Sequence, residues 1–293
     1  MLTINNLSKT YDNDVQALKK VCLEIPRGMF GLLGPNGAGK STLMRTLATL
    51  QESDTGTAFL GDLDMFAEKE EVRRRLGYLP QEFGVYERIS AQAMLDHFAV
   101  LKGISHGAER KEIVDHLLRL TNLHGVRKQK LGTFSGGMRQ RFGIAQALLG
   151  DPELIIVDEP TAGLDPAERQ RFLNLLSEIG ENVVVILSTH IVDDVRELCT
   201  RMAIIDKGEV LLSGEPRALI NRLGGKIWEK VIEKHELDRC RESMRVISSQ
   251  LFAGRTLIHV YSEESPGSGF EVADPGLGDV YFSTLEPCRS DVM

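Results

Sequence analysis

The chain begins with strand-like patterns and then changes to helical spacing. Weak alternation of apolar and polar positions over 2–7, and the pattern over 17–25, predict two strands joined by a polar loop. A short apolar run over 29–33 predicts a buried strand. Between about 90 and 150, two apolar stripes at helical spacing predict a helical segment. The first half of the chain is therefore predicted to place β structure before helices.

The pattern after residue 150 is a regular alternation of strands and helices. Apolar runs over 154–157, 183–187 and 202–205 predict strands, and helical spacing predicts helices over 168–179 and 191–199. Alternation of this kind builds a parallel sheet covered by helices. The predicted fold class is therefore α/β.

The composition changes near residue 215. Beyond a turn signal at 214–216, strand-like signals are mixed with a stretch over 262–275 that is rich in Gly, Ser, Pro and acidic residues and predicts a loop. We predict a main domain over 1–215, with a helical part at about 82–150, and an accessory α+β domain over 216–293.

Composition and charge are those of an ordinary globular protein. The chain has 293 residues, 42% of them hydrophobic and 26% charged, with a net charge of −7. This acidic balance argues against nucleic acid as the main partner, because nucleic-acid binders usually carry a basic surface. We therefore expect no nucleic-acid partner.

Cysteine usage and the lengths of the apolar runs bear on location. The four cysteines, Cys22, Cys199, Cys240 and Cys288, form no C-x-x-C motif, so we expect free thiols in a reducing cytoplasm. The N-terminal residues do not resemble a secretion signal. The longest apolar runs are far shorter than the roughly 20 residues that span a bilayer. Any membrane role would therefore come through a partner.

A glycine-rich loop follows the predicted strand over 29–33. Its residues fit the phosphate-loop pattern G-x-x-x-x-G-K-[ST]: Gly34, Pro35, Asn36, Gly37, Ala38, Gly39, Lys40, Ser41 and Thr42. Backbone N–H groups and the following helix N-terminus can bind phosphate oxygens. Lys40 can reach the β- and γ-phosphates, and Ser41 can bind Mg²⁺. A chance glycine-rich turn is the alternative, which the strand–loop–helix context disfavours.

Two carboxylates follow the predicted strand over 154–157. Ligands bind at the C-terminal ends of strands in open α/β sheets. Asp158 can hold Mg²⁺ through water, and Glu159 can accept a proton from an attacking water. The alternative is a pair of solvated acids at a strand end, and the phosphate loop elsewhere in the chain makes it the weaker interpretation.

The order of the motifs over residues 1–215 resembles that of ATP-binding subunits of ATP-binding cassette (ABC) transporters. The matching residues are Tyr11 (adenine stacking), 34–42 (phosphate loop), Gln81 (glutamine loop), Ser135, Gly136 and Gly137 (signature), Asp158 and Glu159 (metal and base), Asp165 (signalling across the dimer) and His190 (switch histidine). A phosphate loop alone is common to many NTPases, whereas this order of motifs is highly specific.

The resemblance implies a fold and an activity. The fold would be a P-loop NTPase (RecA-like) core with an N-terminal antiparallel β subdomain, a helical subdomain and a small C-terminal extension. The catalytic residues would be Glu159, His190 and Gln81, with Ser41, Gln81 and Asp158 holding Mg²⁺. The cofactors would be ATP and Mg²⁺.

The resemblance also implies partners. In the family, the signature faces the ATP of a second subunit, so Ser135, Gly136 and Gly137 would act in trans on an identical or related chain. A separate transmembrane permease, of the bacterial ABC-2 exporter type, would hold the subunit at the cytoplasmic face of the membrane. Met138 departs from the usual signature glutamine, which affects the expected ribose contact and not the phosphate contacts.

Two other functions compete with transport. A soluble ABC ATPase could act mechanically on nucleic acid or ribosomes, but such relatives carry coiled-coil insertions, zinc-binding cysteines or two cassettes. A regulatory module could hold ATP without turnover, but Glu159 and His190 are both in place. Export powered by ATP hydrolysis is therefore the preferred hypothesis.

Overall fold

A computed structural model of the chain describes residues 1–81, 84–180 and 183–285. The strands are β1 (Leu2–Thr10), β2 (Gln16–Ile25), β3 (Gly28–Leu33), β4 (Thr55–Leu60), β5 (Leu63–Asp64), β6 (Leu76–Leu79), β7 (Leu154–Asp158), β8 (Val184–Thr189), β9 (Arg201–Asp206), β10 (Glu209–Gly214), β11 (Ile227–Ile232), β12 (Val246–Phe252), β13 (Arg255–Tyr261) and β14 (Glu271–Val272). The α-helices are α1 (Lys40–Leu47), α2 (Lys69–Arg75), α3 (Ala91–Leu101), α4 (Gly107–Leu120), α5 (Gly136–Ala147), α6 (Pro166–Ile179), α7 (Val192–Leu198), α8 (Pro216–Asn221), α9 (Leu237–Ser243) and α10 (Leu277–Leu285).

The central sheet has the order β10-β9-β3-β8-β7-β6. Strands β9, β3, β8, β7 and β6 run parallel, and β10 pairs antiparallel with β9. Strands β7 and β8 are buried throughout, which explains their continuous apolar runs. Because these strands are parallel, the residues that follow β3, β7 and β8 lie on the same side of the sheet, at the C-terminal ends of the strands. The predicted α/β class is confirmed.

Helices cover both faces of the central sheet. On one face, Leu43, Met44 and Leu47 of α1 pack into a core that also includes the N-terminal sheet. On the other face, Phe172 of α6 and Val195 of α7 join a second core. These two cores hold the strand ends in fixed positions, which is the condition for an ordered site.

The N-terminal sheet has the order β2-β1-β4-β5 and is antiparallel. The side chains of Leu2, Ile4 and Leu7 are buried in the core that this sheet shares with α1. The predicted N-terminal β structure is therefore present, with β1 extended to Thr10.

The helical part is built from α3, α4 and α5. Leu95, Leu118 and Phe142, one from each helix, lie in a third core. Ser90 caps α3 by accepting a hydrogen bond from the Ala93 N–H at 3.3 Å. The helical spacing seen in the sequence thus reflects helices that pack on one another.

The C-terminal part contains a third sheet with the order β12-β13-β11-β14. The prediction of a loop over 262–275 is wrong at Glu271–Val272, because these two residues form strand β14 and pair with β11. Val280 and Tyr281 of α10 are buried against the core that contains α6 and α7. The division of the chain at residue 215 stays a prediction, and residues 286–293 of the predicted accessory domain, with Cys288, lie outside the described residues.

Helix α2 ends where the central sheet begins. The charged pattern over 70–76 predicts a helix, but α2 ends at Arg75 and Leu76 begins β6 opposite Leu154 of β7. Pairing with the neighbouring strand therefore overrides the local helical pattern at this residue.

Two other predictions concern thiols and membrane spans. Cys22, Cys199 and Cys240 are free, as predicted. Burial raises the pKa of the Cys199 thiol, and Asp194 raises it further. Within the described ranges, no helix combines the length and apolar character that a membrane span requires.

Candidate functional site

The phosphate loop connects the buried strand β3 to α1. Gly39 stands at the helix N-cap with φ 104°, in the left-handed region, and a Cβ there would lie 2.4 Å from the carbonyl oxygen of Ala17. Lys40 is buried, and its Nζ donates to the carbonyl oxygens of Gly34 at 2.8 Å and Pro35 at 3.2 Å. The loop therefore curls around its own lysine.

Three side chains of the predicted site meet at the carboxylate of Glu159: Lys40 of the phosphate loop and the predicted catalytic residues His190 and Gln81. Lys40 Nζ lies 3.3 Å from Oε1, His190 Nδ1 lies 3.3 Å from Oε2, and Gln81 Nε2 donates to Oε2 at 3.4 Å. Glu159 is only 8% exposed, whereas the His190 side chain is 47% exposed. The carboxylate thus lies between a buried cation and the open cleft.

The backbone of Glu159 is unusual. Its φ is 46°, in the left-handed region that a residue with a Cβ rarely adopts. Its N–H donates to the Ser188 carbonyl oxygen of β8 at 2.9 Å. Such conformations cluster at functional sites, where surrounding contacts hold them. The sharp turn after β7 separates Glu159 from Asp158 and directs the two carboxylates to different partners.

Asp158 is buried at the end of β7 and has a partner on the next strand. The hydroxyl of Ser188 donates to Asp158 Oδ1 at 2.7 Å. On the other side, burial raises the pKa of Tyr78 in β6, and the negative charge of Asp158 raises it further. The Asp158 carboxylate is therefore held at a defined position.

The predicted metal ligands suit Mg²⁺ by their chemistry. Asp158 offers a carboxylate, Ser41 a hydroxyl in the first turn of α1, and Gln81 an amide oxygen. Mg²⁺ prefers oxygen ligands and usually needs only one or two protein groups, since phosphates and water complete its shell. Among the described residues, no cluster of three or more His, Cys, Asp or Glu could hold a metal alone.

An open cavity of about 740 Å³ adjoins these groups and is called the ATP cleft below. Its lining includes Tyr11, residues 36–42, Gln81 and Glu159. The Tyr11 hydroxyl donates to Gln51 Oε1 at 3.2 Å and lies 3.1 Å from the Thr42 hydroxyl. Tyr11 therefore stands at the cleft with its ring anchored through its hydroxyl.

Two lysines of the ATP cleft belong to none of the predicted motifs. Lys19 and Lys207 also line the cavity. The turn between β9 and β10 packs on the phosphate loop, where the Gly208 N–H donates to the Ala38 carbonyl oxygen at 2.9 Å. No motif marks these lysines, because the contact joins segments that are distant in the chain.

The signature residues and Asp165 are not part of the ATP cleft in one chain. Ser135 caps α5, accepting from the Met138 N–H at 3.2 Å, and Asp165 caps α6, accepting from the Glu168 N–H at 2.9 Å. Ser135, Gly136 and Asp165 are exposed, while Gly137 is buried. The side chain of Met138 packs against the helical core. Ser135, Gly136 and Asp165 therefore form part of a second surface of the subunit.

Comparison with known proteins agrees with this geometry. The ABC transporter family matches residues 18–162. The linearmycin resistance ATP-binding protein LnrL of Bacillus subtilis is 36% identical over 227 residues, covering 77% of this chain and 72% of LnrL. The chain belongs to the ABC transporter family. The probable multidrug ABC transporter ATP-binding protein YbhF of Escherichia coli is 31% identical over 298 residues, covering 99% of this chain and 51% of YbhF. The chain thus spans about half of that relative.

The fold comparison gives the same family. A dimeric post-hydrolysis structure of the ATP-binding cassette MJ0796, bound to ADP and Pi, aligns with a TM-score of 0.67 and 27% identity over 73% of this chain and 98% of that chain. The P-loop NTPase fold is therefore confirmed. The chain is an ABC ATPase: it binds and hydrolyses ATP as the nucleotide-binding subunit that works with a transmembrane partner.

Proposed function

We propose that this ABC ATPase hydrolyses Mg-ATP in sites shared between two subunits and thereby powers export through a separate permease. Glu159 is the general base, Asp158, Ser41 and Gln81 hold Mg²⁺, and His190 contacts the γ-phosphate. Residues 34–42 bind the phosphates, and Tyr11 stacks on adenine. The permease places the subunit at the cytoplasmic face of the membrane.

The observation that carries the proposal is the meeting of Lys40, Gln81 and His190 at Glu159. A carboxylate 8% exposed beside an open cleft is partly shielded from water but within reach of a water that enters with the nucleotide. General-base catalysis requires the base within hydrogen-bonding reach of the attacking group. Mg²⁺, when bound, would neutralise charge on the β- and γ-phosphates.

A second subunit supplies the signature residues that the ATP cleft of one chain lacks. Ser135 and Gly136 are exposed at the start of α5 and do not line the ATP cleft of their own chain. A helix N-terminus favours anions through its N–H groups and its dipole. In a head-to-tail dimer this surface would close over the ATP of the other subunit, with Asp165 beside it.

Export is the direction that the relatives favour. LnrL is named a resistance protein and YbhF a probable multidrug transporter protein. Resistance is what removal of a toxic compound from the cell would give. The mechanical alternative on nucleic acid or ribosomes has no comparable support among these relatives.

The catalytic proposal is tested with the purified chain. Phosphate release from Mg-ATP is compared for the wild type and Glu159→Gln over a range of protein concentrations. We expect phosphate release per chain to rise with protein concentration in the wild type and to fall by on the order of 10²–10⁴ in Glu159→Gln. Equal turnover in the wild type and Glu159→Gln would contradict the assignment of Glu159 as the general base.

The transport proposal is tested in cells. The chain is expressed in a sensitive bacterial host together with a candidate permease, and growth is measured against a panel of amphiphilic antibiotics. We expect resistance to at least one compound and lower accumulation of that compound, with Glu159→Gln as the inactive control. Higher accumulation with the active protein would indicate import and overturn the assignment of export.

A further inference from the structure

A fully buried carboxylate lies behind the catalytic residues. Asp194, in α7, has 0% exposure and is not among the residues that line the ATP cleft. Its Oδ2 accepts a hydrogen bond from the Thr161 hydroxyl at 2.6 Å, and its Oδ1 accepts one from Arg169 Nε at 2.7 Å. A buried charge is costly unless it is paired, and these contacts provide the pairing.

The partners of Asp194 come from both catalytic loops. Thr161 is two residues beyond Glu159, and Thr189 directly precedes His190. The Thr189 hydroxyl donates to Asp194 Oδ2 at 3.4 Å and accepts from the N–H of Ile191 at 3.0 Å. One carboxylate oxygen therefore contacts the loop that carries Glu159 and the loop that carries His190.

The third partner fixes the carboxylate itself. Arg169 lies in the first turns of α6, and its Nη2 is 2.6 Å from the same Oδ1 that its Nε contacts. Helix α6 begins at the cap formed by Asp165, so the arginine ties Asp194 to the segment that follows the Glu159 loop. The network thus joins α6, α7 and two loops around one buried group.

We propose that Asp194 is a positioning residue. Through Thr161 and Thr189 it holds the Glu159 and His190 loops in a fixed position relative to each other. The proposal rests on the proposed roles of Glu159 and His190. Small displacements of a catalytic group lower the rate strongly, whereas nucleotide affinity comes from the phosphate loop, which Asp194 does not contact. Loss of the network should therefore lower kcat and leave ATP binding in place.

The competing explanation is a brace that only stabilises the fold. Asp194→Asn leaves Arg169 without its counter-charge, so that variant alone could lose activity by losing stability. Thr161→Val separates the two explanations, because it removes one hydroxyl and keeps the Arg169–Asp194 ion pair. Both variants are therefore needed.

The chain offers matched controls for both changes. Asp193→Asn makes the same replacement at the neighbouring position of α7, where the side chain is 58% exposed and pairs with Arg196. Thr121→Val removes a hydroxyl that is equally buried, at 1% exposure, in the helical part of the protein. Asp193→Asn and Thr121→Val therefore make the same chemical changes as the two test variants, at positions that do not contact the catalytic loops.

The experiment measures kcat, KM for ATP, equilibrium binding of a non-hydrolysable ATP analogue, and thermal unfolding for all four variants. We expect Asp194→Asn to lower kcat by about 10- to 100-fold. We expect Thr161→Val to lower it by about fivefold, the value of one hydrogen bond. Analogue binding should stay within about twofold of the wild type, and both controls should keep wild-type kcat.

Two outcomes would overturn the proposal. One is a folded Thr161→Val protein with the kcat of Thr121→Val, since the hydroxyl would then have no positioning effect. The other is a fall in analogue binding as large as the fall in kcat, which indicates general disruption. Failure of the proposed function itself looks different: Glu159→Gln would hydrolyse ATP at the wild-type rate.

Discussion

Two glycine-rich loops in this protein lead into helices, and they are completed in different ways. The phosphate loop enters α1 at Gly39, in a left-handed conformation and without a side-chain cap. The signature loop (residues 135–137) enters α5 through Ser135, which caps the helix in the usual manner. The first encloses its own Lys40, which pairs with Glu159 of the same chain, whereas Ser135 and Gly136 of the second are exposed.

The difference shows that a helix N-terminus becomes a binding site through its surroundings. Both loops present backbone N–H groups that favour an anion. The phosphate loop also has a buried cation, a carboxylate and an adjoining cavity. Ser135 and Gly136 of the signature loop do not line this cavity, so the proposed ligand of the loop must arrive with another subunit. The following predictions test this contrast, beginning with the largest expected effect.

The largest effect is expected for Glu159→Gln. Glutamine keeps the size of the side chain but cannot accept the proton, so turnover should fall by on the order of 10²–10⁴. Nucleotide binding should survive because the phosphate loop is unchanged, and dimers should accumulate with Mg-ATP. Phosphate release and size-exclusion chromatography measure the two effects.

Asp158→Asn is the matched comparison for Glu159→Gln. The same loss of charge one residue earlier should weaken the hold on Mg²⁺, so that binding and hydrolysis fall together and no dimer is trapped. Trapping of the dimer by Asp158→Asn as well would contradict the separate roles of the two carboxylates.

Lys40→Ala should weaken ATP binding by about 10- to 100-fold, the value of a hydrogen bond to a charged group. The lysine is the buried cation of the phosphate loop, and without it the phosphates would meet Glu159 uncompensated. Isothermal titration with ATP measures the loss. Lys111→Ala, an exposed position in α4, is the control and should bind normally. Unchanged affinity in Lys40→Ala would refute the assignment of the phosphate loop.

Ser135→Ala should affect the dimer and not the single subunit. Turnover at high protein concentration should fall by about tenfold, because one charge-assisted contact to phosphate is lost, while ATP binding to the monomer stays unchanged. Ser90→Ala is a close control, since Ser90 also caps a helix with its side chain. Both changes should cost about 1 kcal/mol of stability from the lost cap, measured by urea unfolding. Equal turnover in the two variants would remove Ser135 from the shared site.

The smallest effect is expected for Ser188→Ala. It removes the hydrogen bond that orients Asp158, so the Mg²⁺ concentration for half-maximal turnover should rise by about fivefold. A titration of turnover with MgCl₂ at saturating ATP measures the shift. Thr256→Ala, which changes a buried threonine in the third sheet, serves as the control. If turnover of the wild type, Ser188→Ala and Thr256→Ala depends on Mg²⁺ in the same way, Ser188 does not support the metal site.

The sequence predicts the central architecture because its signals are local. A continuous apolar run followed by Gly34–Thr42, and another followed by Asp158, each combine a strand with the group that the strand end presents. The structure confirms both strands and their parallel arrangement. The roles of the individual site residues stay predictions.

The missed features depend on contacts between distant segments. Helix α10 follows a loop and contains Gly278, so its pattern is weak, and burial of Val280 and Tyr281 against the core stabilises it. Lys207 reaches the ATP cleft only because the β9–β10 turn packs on the phosphate loop. Neither packing interaction can be derived from spacing along the chain.

The contact between Lys40 and Glu159 has a consequence for ligand discrimination. The buried ammonium group is paired with a carboxylate 3.3 Å away and donates hydrogen bonds to two carbonyl oxygens of its own loop. A monovalent anion would have to displace these partners of Lys40, and its own contact with the lysine would compensate little for their loss. A polyphosphate that spans the whole loop and brings Mg²⁺ can replace all of them at once. The pairing of Lys40 should therefore favour a polyphosphate over a small anion such as chloride, because the polyphosphate can replace more of these contacts.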